Sequence, residues 1–417
     1  MKDGINSKGM KFSNALLVLD TVMKNAPISR SDLVRKVGLT QVSVINITNE
    51  LLDAGIVQEA GKAGGSSQGR RSLVLDVRED AFYGIGFELS VGKLAAGLCN
   101  AKGELIDFID TDFPAESAPE CLADRIEEIV NGFLETYKLD RERVLGVGIA
   151  LPGPLDVQRG MVFDPPNFPA WKDVPVRKMV EKRLGMRVCM DKETNLAALA
   201  ESFYGVSAGY QTSFFMSLFR LGIGGGLVSK GNIFHGFRDG AGEVGHMLVD
   251  SSGPRCGCGN YGCLEAMIAE KYVLEQVRHW YKTGMAALQP EDIDALTLEE
   301  VFRRSEKGDP VCGMAVRQMA GYLSVAVGNI INMFSPELVV LGGTLPEMCG
   351  ELTGLVEERV RSRRYPAHCR DVKIVSSSLG SKAYVRGALA LAMKTFLPEM
   401  LAEAFLETKD QGGGKET

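Results

Sequence analysis

Three cysteines and one histidine near the middle of the 417-residue chain have types and spacing that suit metal binding. The histidine ends the segment Gly242-Glu243-Val244-Gly245-His246, and the cysteines begin ten residues later, in the segment CGCGNYGCLE. Thiolate and imidazole are the ligands that a tetrahedral zinc ion prefers, and three cysteines with one histidine form an ordinary structural set. The sequence therefore predicts zinc as a cofactor and, as its ligands, His246, Cys256, Cys258 and Cys263.

Glycines and acids surround these four residues. We expect the glycines of the cysteine segment to let the backbone turn tightly enough for three sulfurs to converge, namely Gly257, Gly259 and Gly262. Glu243 and Glu265 are better explained as hydrogen-bond acceptors for a polar molecule beside the metal than as further ligands. The alternative is a glycine-rich surface loop with reduced cysteines and solvated acids. The spacing of the cysteines beside paired acids favours the metal site.

The composition limits the class of protein. A chain of this length is expected to form two or three domains, and 45% apolar residues is typical of a globular protein. No apolar run approaches the ~18 residues of a membrane-spanning helix, and the N-terminus lacks the apolar stretch of a secretory signal. Nine cysteines, scattered apart from the one cluster, indicate reduced thiols. We therefore expect a cytoplasmic protein with no membrane partner.

Charge is distributed unevenly along the chain. The net charge is −6, yet residues 1–75 carry +4 and the remainder carries −10. A mildly basic head on an acidic body is compatible with a nucleic-acid reader joined to a small-molecule domain.

The N-terminal part has the helix pattern of a helix-turn-helix. Apolar residues at helical spacing predict a first helix that starts after Ser13-Asn14 and ends before Pro27. Ser29-Arg30-Ser31-Asp32 then matches a capping box, in which the hydroxyl and the acid satisfy free amides of a new helix. We expect this second helix to be short and to stop at Gly38.

The third predicted helix runs from about Gln41 to Ala54, with Thr40 as N-cap and Gly55 as stop. One face is an apolar stripe made of Val44, Ile47, Leu51 and Leu52. The opposite face is polar and consists of Gln41, Ser43, Asn46 and Asn49. A short helix, a glycine turn and a longer helix with a polar face are the helix-turn-helix arrangement.

A wing is expected after the third helix. Ile56-Val57 and Leu73-Val74-Leu75 predict two strands on either side of the flexible stretch Gly61–Gly69 and the pair Arg70-Arg71. Asparagine and glutamine can read adenine edges in DNA. Phosphate contacts are predicted for Arg30, Arg35, Lys36, Arg70 and Arg71. A small helical protein-docking module is the alternative, because the third helix has no lysine or arginine of its own.

Strands alternate with helices in the rest of the chain, which predicts α/β architecture with mixed sheets. The predicted strands are Phe82–Leu89, Lys93–Cys99, Val144–Ala150, Arg187–Met190, Ser213–Leu218, Gly222–Leu227, Leu338–Leu341 and Lys373–Val375. Glycine-rich turns lie at the strand ends, where backbone amides can approach an anion.

Over residues 12–395 the chain resembles the ROK family (repressors, open reading frames and sugar kinases). The resemblance rests on Gly242–His246 joined to CGCGNYGCLE, with support from Leu151–Pro154, Pro336–Gly343 and the glycines Gly380 and Gly387. It implies a two-lobed, actin-like and hexokinase-like (ribonuclease H-like) fold. Members with an added winged helix are sugar-responsive transcriptional regulators, and members without it are ATP-dependent sugar kinases.

The resemblance also implies roles for individual residues. The family residues that match Glu243, His246 and Glu265 contact sugar hydroxyls, and the histidine also ligates zinc. The kinases' catalytic aspartate, within an Asn-Asp pair, corresponds to Glu193 of the pair Lys192-Glu193. Asn167, in the segment Pro165–Trp171, is a further sugar-contact candidate. The remaining histidines have no ligand-like sequence neighbours and are interpreted as structural or surface residues: His235, His279 and His368.

The nucleotide loops depart from the kinase pattern. The loop Asp-x-Gly-Gly-Thr-Lys corresponds to Glu88–Lys93, where both glycines are lost and Val91 stands where phosphate meets bare backbone. In the second loop Arg220-Leu221 replaces Gly-Thr. Glutamate in place of the catalytic aspartate lengthens the side chain, and ~1 Å of misplacement can cost on the order of 100-fold in rate. We therefore expect neither ATP binding nor kinase activity.

Together these features predict a winged helix-turn-helix domain over residues 1–78, a first lobe over 79–200 joined by a C-terminal helix over 380–400, a second lobe over 201–379, and a disordered tail over 408–417. The predicted function is a zinc-containing, sugar-responsive repressor. It would bind operator DNA as a homodimer or homotetramer, because two heads related by a twofold axis match a palindrome. The alternatives are a sugar kinase with a regulatory head and a DNA-binding protein whose body only oligomerises.

Overall fold

A computed structural model describes residues 7–62, 73–219, 222–285, 293–363 and 370–410. The helices are α1 (Ser7–Asn25), α2 (Arg30–Val37), α3 (Gln41–Asp53), α4 (Pro119–Tyr137), α5 (Val176–Leu184), α6 (Glu193–Tyr204), α7 (Leu264–Ile268), α8 (Glu270–Lys282), α9 (Leu298–Glu306), α10 (Pro310–Phe334), α11 (Thr344–Met348), α12 (Leu352–Arg361) and α13 (Ala383–Asp410). The strands are β1 (Ile28–Ser29), β2 (Val57–Lys62), β3 (Leu73–Val77), β4 (Tyr83–Ser90), β5 (Gly92–Asn100), β6 (Leu105–Phe113), β7 (Val144–Leu151), β8 (Leu155–Asp156), β9 (Met161–Val162), β10 (Val188–Lys192), β11 (Thr212–Phe219), β12 (Gly222–Ser229), β13 (Asn232–Ile233), β14 (Leu338–Gly342) and β15 (Lys373–Ser376).

Two five-stranded sheets repeat one strand order. The first is ordered β6-β5-β4-β7-β10 and the second β13-β12-β11-β14-β15. In both, the earliest strand is central and pairs antiparallel with the next one, β4 with β5 and β11 with β12. The second sheet also contains the parallel pairs β11·β14 and β14·β15. The α/β class with mixed sheets is therefore confirmed, and the shared order indicates a duplicated unit.

The chain forms two compact units. The first comprises the described residues within 1–149, 166–190 and 388–417, and the second those within 150–165 and 191–387. The first unit includes both the helical head and the sheet from β4 to β6. Compact units need not coincide with functional domains, so the boundaries at residues 78, 200 and 379 stay predictions. Helix α13 extends to Asp410 and thus includes the start of the predicted tail; residues 411–417 lie outside the described part.

The head has the predicted helix-turn-helix fold. Ser29 accepts a hydrogen bond from the amide of Asp32 at the start of α2, and Gly38 ends that helix with φ 70°. Thr40 accepts one from the amide of Ser43 at the start of α3. The first helix begins at Ser7, earlier than predicted, because Phe12 packs against the core of the head and extends the apolar face.

The wing is also present. Strands β1, β3 and β2 form a three-stranded antiparallel sheet, with Ile28 opposite Leu75 and Val57 opposite Val77. The predicted turn between β2 and β3, including Arg70 and Arg71, lies outside the described residues. The short strand β1 was not predicted, because two residues are too few to show an alternation of apolar and polar side chains.

One hydrophobic core joins the head to α13. Apolar residues of α1, α2, α3 and the wing sheet form a single cluster with α13 and with residues of β7 and β10. From α13 the cluster contains Ala392, Met393, Phe396, Leu397 and Leu401. The head is therefore not an independently packed module, since it shares buried surface with the last helix of the first unit.

Two smaller observations bear on the sequence predictions. No described helix is both long and apolar enough to cross a bilayer. The eight cysteines among the described residues form no disulfide bond with one another.

Candidate functional site

The four predicted metal ligands lie together in the second unit. One ligand atom from each of His246, Cys256, Cys258 and Cys263 falls within 4.8 Å of the others. Cys256 Sγ lies 3.6 Å from His246 Nδ1, and Cys258 Sγ lies 3.6 Å from Cys263 Sγ. Zinc–sulfur bonds of about 2.3 Å in a tetrahedron place two sulfurs about 3.8 Å apart, so the arrangement fits a tetrahedral ion.

The cysteine loop is held by short backbone contacts. The amide of Cys256 donates to Asn260 O (2.7 Å), and that of Gly259 donates to Cys256 O (3.0 Å). Gly262 has φ +67°, and a Cβ there would lie 1.5 Å from Asp250 O, so only glycine fits. Gly257 differs from our expectation: its φ lies outside the left-handed range, and a Cβ would meet nothing within 4 Å. The tight turn therefore depends on Gly259 and Gly262.

His246 lies at the end of a single helical turn that packs on β12. A Cβ at Gly245 would lie 2.3 Å from Ile223 O, so the turn approaches the strand as closely as backbone allows. The ring directs Nδ1 toward Cys256, which leaves Nε2 for a hydrogen bond to another molecule. Because β12 fixes the turn, the imidazole has a defined position beside the cysteines.

The three thiols differ in acidity. Burial raises the pKa of Cys256, and it raises the pKa of Cys263 to about 12. A hydrogen bond from the backbone of Asn260 lowers the pKa of Cys258, which is exposed. Cys258 is therefore the sulfur that ionises most readily in the absence of a cation.

Glu265 lies directly beside the ligands. Its Oε1 is 3.9 Å from Cys256 Sγ, and its Oε2 accepts a hydrogen bond from the amide of Ile223 (3.2 Å). The carboxylate is thus held between the four predicted metal ligands and β12. This position suits an acceptor for a polar ligand.

Glu243 forms an ion pair that the sequence did not predict. Lys192 Nζ donates to Glu243 Oε1 (2.9 Å) and to Ala241 O (2.6 Å). Lys192 is buried, whereas the Glu243 side chain is largely exposed. The pair joins the end of β10 to the segment before His246, a sequence separation of 51 residues.

His235, interpreted from the sequence as a structural or surface residue, contacts a buried acid. Its Nε2 lies 2.7 Å from Oδ2 of the buried Asp191. That hydrogen bond raises the pKa of His235 above its ordinary value. Asp191 also accepts from the amide of Lys192 and from Asn195 Nδ2. An Asp–His pair therefore lies beside the Lys192–Glu243 pair.

Glu193 occupies the first position of α6. Its Oε2 is buried and has no hydrogen-bond partner among the described residues. Burial raises its pKa to about 7, with smaller raising contributions from Glu243 and Asp191, opposed by Lys192. A carboxyl with this pKa can both donate and accept a proton near neutral pH.

Replacing Glu193 with glutamine is expected to change the pH dependence of stability. The folded chain keeps the proton up to about pH 7, while the unfolded chain releases it near 4.5, so the free energy of unfolding falls as pH rises through this window. Glutamine is neutral throughout. The stability of the variant relative to the unmodified chain should therefore rise by about 2–3 kcal/mol between pH 5 and pH 8.

Urea titrations at pH 5, 6, 7 and 8 measure this difference. Glu142→Gln, at an exposed position, serves as the reference for removing one carboxylate. A stability difference between Glu193→Gln and the unmodified chain that stays constant with pH would contradict the assignment.

Asn167, the remaining sugar-contact candidate, is an exposed turn residue of the first unit. Its segment is anchored by the buried rings of Phe168 and Trp171, whose centroids lie 5.4 Å apart. Trp171 Nε1 also donates to Ser117 O (3.1 Å). The backbone around Asn167 is thus held in place.

The polar face of α3 is accessible. Gln41, Asn46 and Asn49 are exposed, while Ser43 lies within 2.8 Å of the hydroxyl of Thr40. Val42, which the sequence analysis did not single out, is 68% exposed on the same helix. An apolar side chain there could contact a thymine methyl group.

The predicted phosphate contacts of the head fall into two groups. Arg30 bonds to Thr48 Oγ1 (2.9 Å) and Asn49 Oδ1 (2.9 Å), so it braces α2 against α3. Arg35 and Lys36 are exposed at the end of α2, where Arg35 pairs with Asp32. Arg70 and Arg71 lie outside the described residues.

The segment that corresponds to the first nucleotide loop of the kinases, Glu88–Lys93, forms a tight hairpin between β4 and β5. Val91 lies at its tip, and Gly92 has φ +82°. Lys93 pairs with Asp110 on the neighbouring strand β6 (2.8 Å). Its ammonium is thus engaged at the surface of the sheet. Arg220 and Leu221 of the second loop, like His368, are outside the described ranges.

Comparisons with known proteins agree with the resemblance seen in the sequence. The chain is 32% identical over 395 residues to the xylose repressor of Caldicellulosiruptor bescii, covering 93% of this chain and 97% of the relative. A crystal structure of a ROK family transcriptional regulator, described as a homolog of the E. coli MLC protein, covers 95% of this chain and 99% of its own, with 28% identity and a TM-score of 0.79. The ROK hexokinase from Thermus thermophilus covers 79% of this chain and 100% of its own, with 28% identity and a TM-score of 0.62.

These similarities confirm the predicted fold, in which a winged helix-turn-helix head is followed along the chain by an actin-like, hexokinase-like part. The ROK family pattern matches residues 84–395, which is most of the chain. The chain belongs to the ROK family.

Proposed function

We propose that this protein is a sugar-responsive transcriptional repressor that binds operator DNA through its head. The observation that carries the proposal is the exposed polar face of α3 on a winged helix-turn-helix that shares a core with α13. A helix presented in this way fits the major groove of DNA. The similarity to a xylose repressor over 93% of the chain supports the same function.

The second unit would bind the sugar. Glu265 lies beside the cluster of proposed metal ligands, to which His246 belongs. Lys192 is hydrogen-bonded to Glu243 and directly precedes Glu193. Carboxylates and imidazole are suited to sugar hydroxyls, because they accept or donate hydrogen bonds in fixed directions. Asn167 stays a proposed sugar contact.

Zinc is the proposed metal, held by His246, Cys256, Cys258 and Cys263. The donor set and the 3.6 Å ligand separations fit this ion. A closed set of four protein ligands supplies structure rather than catalysis. It would fix the loop and the orientation of the imidazole of His246 toward the sugar.

Kinase activity is the rival function, since the ROK hexokinase of Thermus thermophilus has a similar fold. Three features argue against it: Val91 at the first loop, the loss of Gly-Thr at Arg220-Leu221, and glutamate at position 193. Phosphoryl transfer depends on close positioning of the reacting groups. The changes at the phosphate loops and at the base position therefore lower the rate together. We therefore propose that the fold binds sugar without turnover.

A gel-shift experiment with and without sugar tests the proposed function. DNA from upstream of the gene that encodes this chain is titrated with the full chain. Separately, a panel of hexoses, pentoses and N-acetyl sugars is screened for shifts in the melting temperature of the chain. One sugar should shift the melting temperature and change DNA affinity, because it must favour one state of the repressor differentially. Rapid magnesium-dependent ATP consumption that Glu193→Gln abolishes would instead establish the kinase. DNA binding that no sugar changes would favour a body that only oligomerises.

Base preference is expected to depend on the polar face of α3. Asn46→Ala should relax specificity at one base pair by about 1–3 kcal/mol, because asparagine can bond both edge groups of adenine. Selection from random duplexes, followed by titration of the chosen site, measures the change. Lys36→Ala is the matched control: it should weaken all sequences about equally and reduce the salt slope by about one. Unchanged preference in both Gln41→Ala and Asn46→Ala would exclude α3 as the reader.

Homodimers or homotetramers are proposed because one head reads one half-site. Two heads related by a twofold axis match a palindromic operator, so half-site spacing in selected DNA should equal whole helical turns. Replacement of Arg70 and Arg71 together should weaken binding at every site, since phosphate contacts carry no sequence information.

A further inference from the structure

A buried lysine lies among the proposed sugar contacts. Lys192 is 6% exposed and caps the N-terminus of α6, immediately before Glu193. A positive charge is unfavourable at a helix N-terminus, and burial of an ammonium group adds a further penalty unless it is paired. A lysine at this position therefore needs partners that hold its ammonium group.

The contacts of Lys192 hold it in one place. Its ammonium donates to Ala241 O (2.6 Å) and Glu243 Oε1 (2.9 Å), which uses two of its three protons. A Cβ at Gly153 would lie 3.2 Å from Lys192 Cδ, so glycine there gives the stem its space. The third N–H of the Lys192 ammonium therefore lies at a fixed position between two chain segments.

The two described cations at this place, Lys192 and His235, each have a carboxylate partner. In the described part of this cluster, the ammonium is bonded to Glu243, and the imidazole of His235 is bonded to Asp191. Glu193 adds a third acid whose Oε2 has no partner among the described residues. A phosphate or carboxylate on a ligand would meet carboxylates here without an unshared cation.

A hydroxyl group meets different partners at the same place. Its oxygen can accept a hydrogen bond from the remaining N–H of Lys192, and its own O–H can donate a hydrogen bond to Glu193 or Glu243. A fully ionised phosphate or carboxylate can only accept. Donor and acceptor side by side therefore suit an uncharged sugar.

We propose that Lys192 is a specificity-determining residue of the sugar site, and that its pair with Glu243 selects an uncharged sugar over the phosphorylated or carboxylated form of that sugar. This inference rests on the proposed function and names the class of effector. Lys192 acts in two ways: it donates to a sugar oxygen, and it positions the Glu243 carboxylate that repels anions.

Calorimetric titration of the full chain with matched ligands tests the inference. The pairs are glucose with glucose 6-phosphate and with glucuronate, N-acetylglucosamine with its 6-phosphate, and xylose with xylose 5-phosphate. The unmodified chain should bind one uncharged member about tenfold or more tighter than its anionic counterpart, because like charges placed side by side are strongly disfavoured. Tighter binding of the anionic member defeats this inference and leaves the proposed function standing. If no member of any pair binds, the proposed function fails as well.

Two variants separate specificity from folding. Glu243→Gln removes the repelling charge and frees the ammonium, so the preference should move about tenfold toward the anionic ligand. Lys192→Met keeps the apolar stem and should weaken the uncharged sugar, while Lys307→Met, at an exposed position, should not. A merely structural role would lower affinity for both ligands alike. An unchanged preference in Glu243→Gln overturns the role of the pair, even if Lys192→Met does not fold.

Discussion

Replacing Cys258 with serine is expected to remove the metal and to weaken sugar binding together. Cys258 is exposed, so serine leaves no cavity, yet it deletes one of the four ligand atoms gathered within 4.8 Å. Loss of a ligand should lower metal affinity by at least about 10- to 100-fold, which is the effect of losing a group that only supports a ligand. The imidazole of His246 then loses its fixed orientation. Sugar affinity should fall in parallel.

Metal content after dialysis, measured by plasma mass spectrometry, and sugar affinity, measured by calorimetry, are compared on the same preparation. Cys121→Ser is the matched control, because that cysteine is exposed in the first unit and belongs to no cluster of ligand residues in the described structure. One zinc ion per chain in Cys258→Ser would exclude the cysteine as a ligand. Metal loss with unchanged sugar affinity would separate the metal from the sugar site.

Replacing Phe396 with alanine is expected to destabilise the head together with the rest of the first unit, by about 3–5 kcal/mol. Phe396 is 6% exposed on α13 and belongs to the core that includes the head helices. Its ring lies against Gly146, where a Cβ would approach within 2.5 Å, and Arg187 stacks over it at 5.0 Å. Alanine removes this packing and the cation–π contact.

Urea unfolding followed by fluorescence and by protection of head amides from hydrogen exchange measures both regions. Phe237→Ala is the matched control, because that ring is 84% exposed and its loss should change stability by less than about 0.5 kcal/mol. DNA affinity of Phe396→Ala should also fall, since α3 is part of the same core. Loss of stability without any loss of protection in the head would show that the shared core does not couple them.

Local structure in the head was readable from the sequence, because its signals act over a few residues. The caps at Ser29 and Thr40 bond to amides three residues ahead, and Gly38 adopts the left-handed conformation that ends a helix. The metal ligands could be predicted for the same reason, because the three cysteines lie within eight residues of the sequence. The alternation of strands and helices likewise indicated the α/β fold.

Edge elements were harder to predict. Strand β6 was missed, because it is mostly half-buried or exposed and shows no alternation of apolar and polar residues. Strand β1 contains two residues and exists only through its pairing with β3. Such elements are determined by their neighbours rather than by their own sequence.

The sequence by itself determined the family, the fold class and the set of residues able to hold a metal, because each depends on residue types at short, fixed spacings. Only the tertiary structure decided that Lys192 pairs with Glu243 and that His235 pairs with Asp191, across separations of 51 and 44 residues. It also decided that the head shares its core with α13. The physical reason is that burial and ion pairing depend on which distant segments the fold brings into contact, and no local pattern encodes those distances.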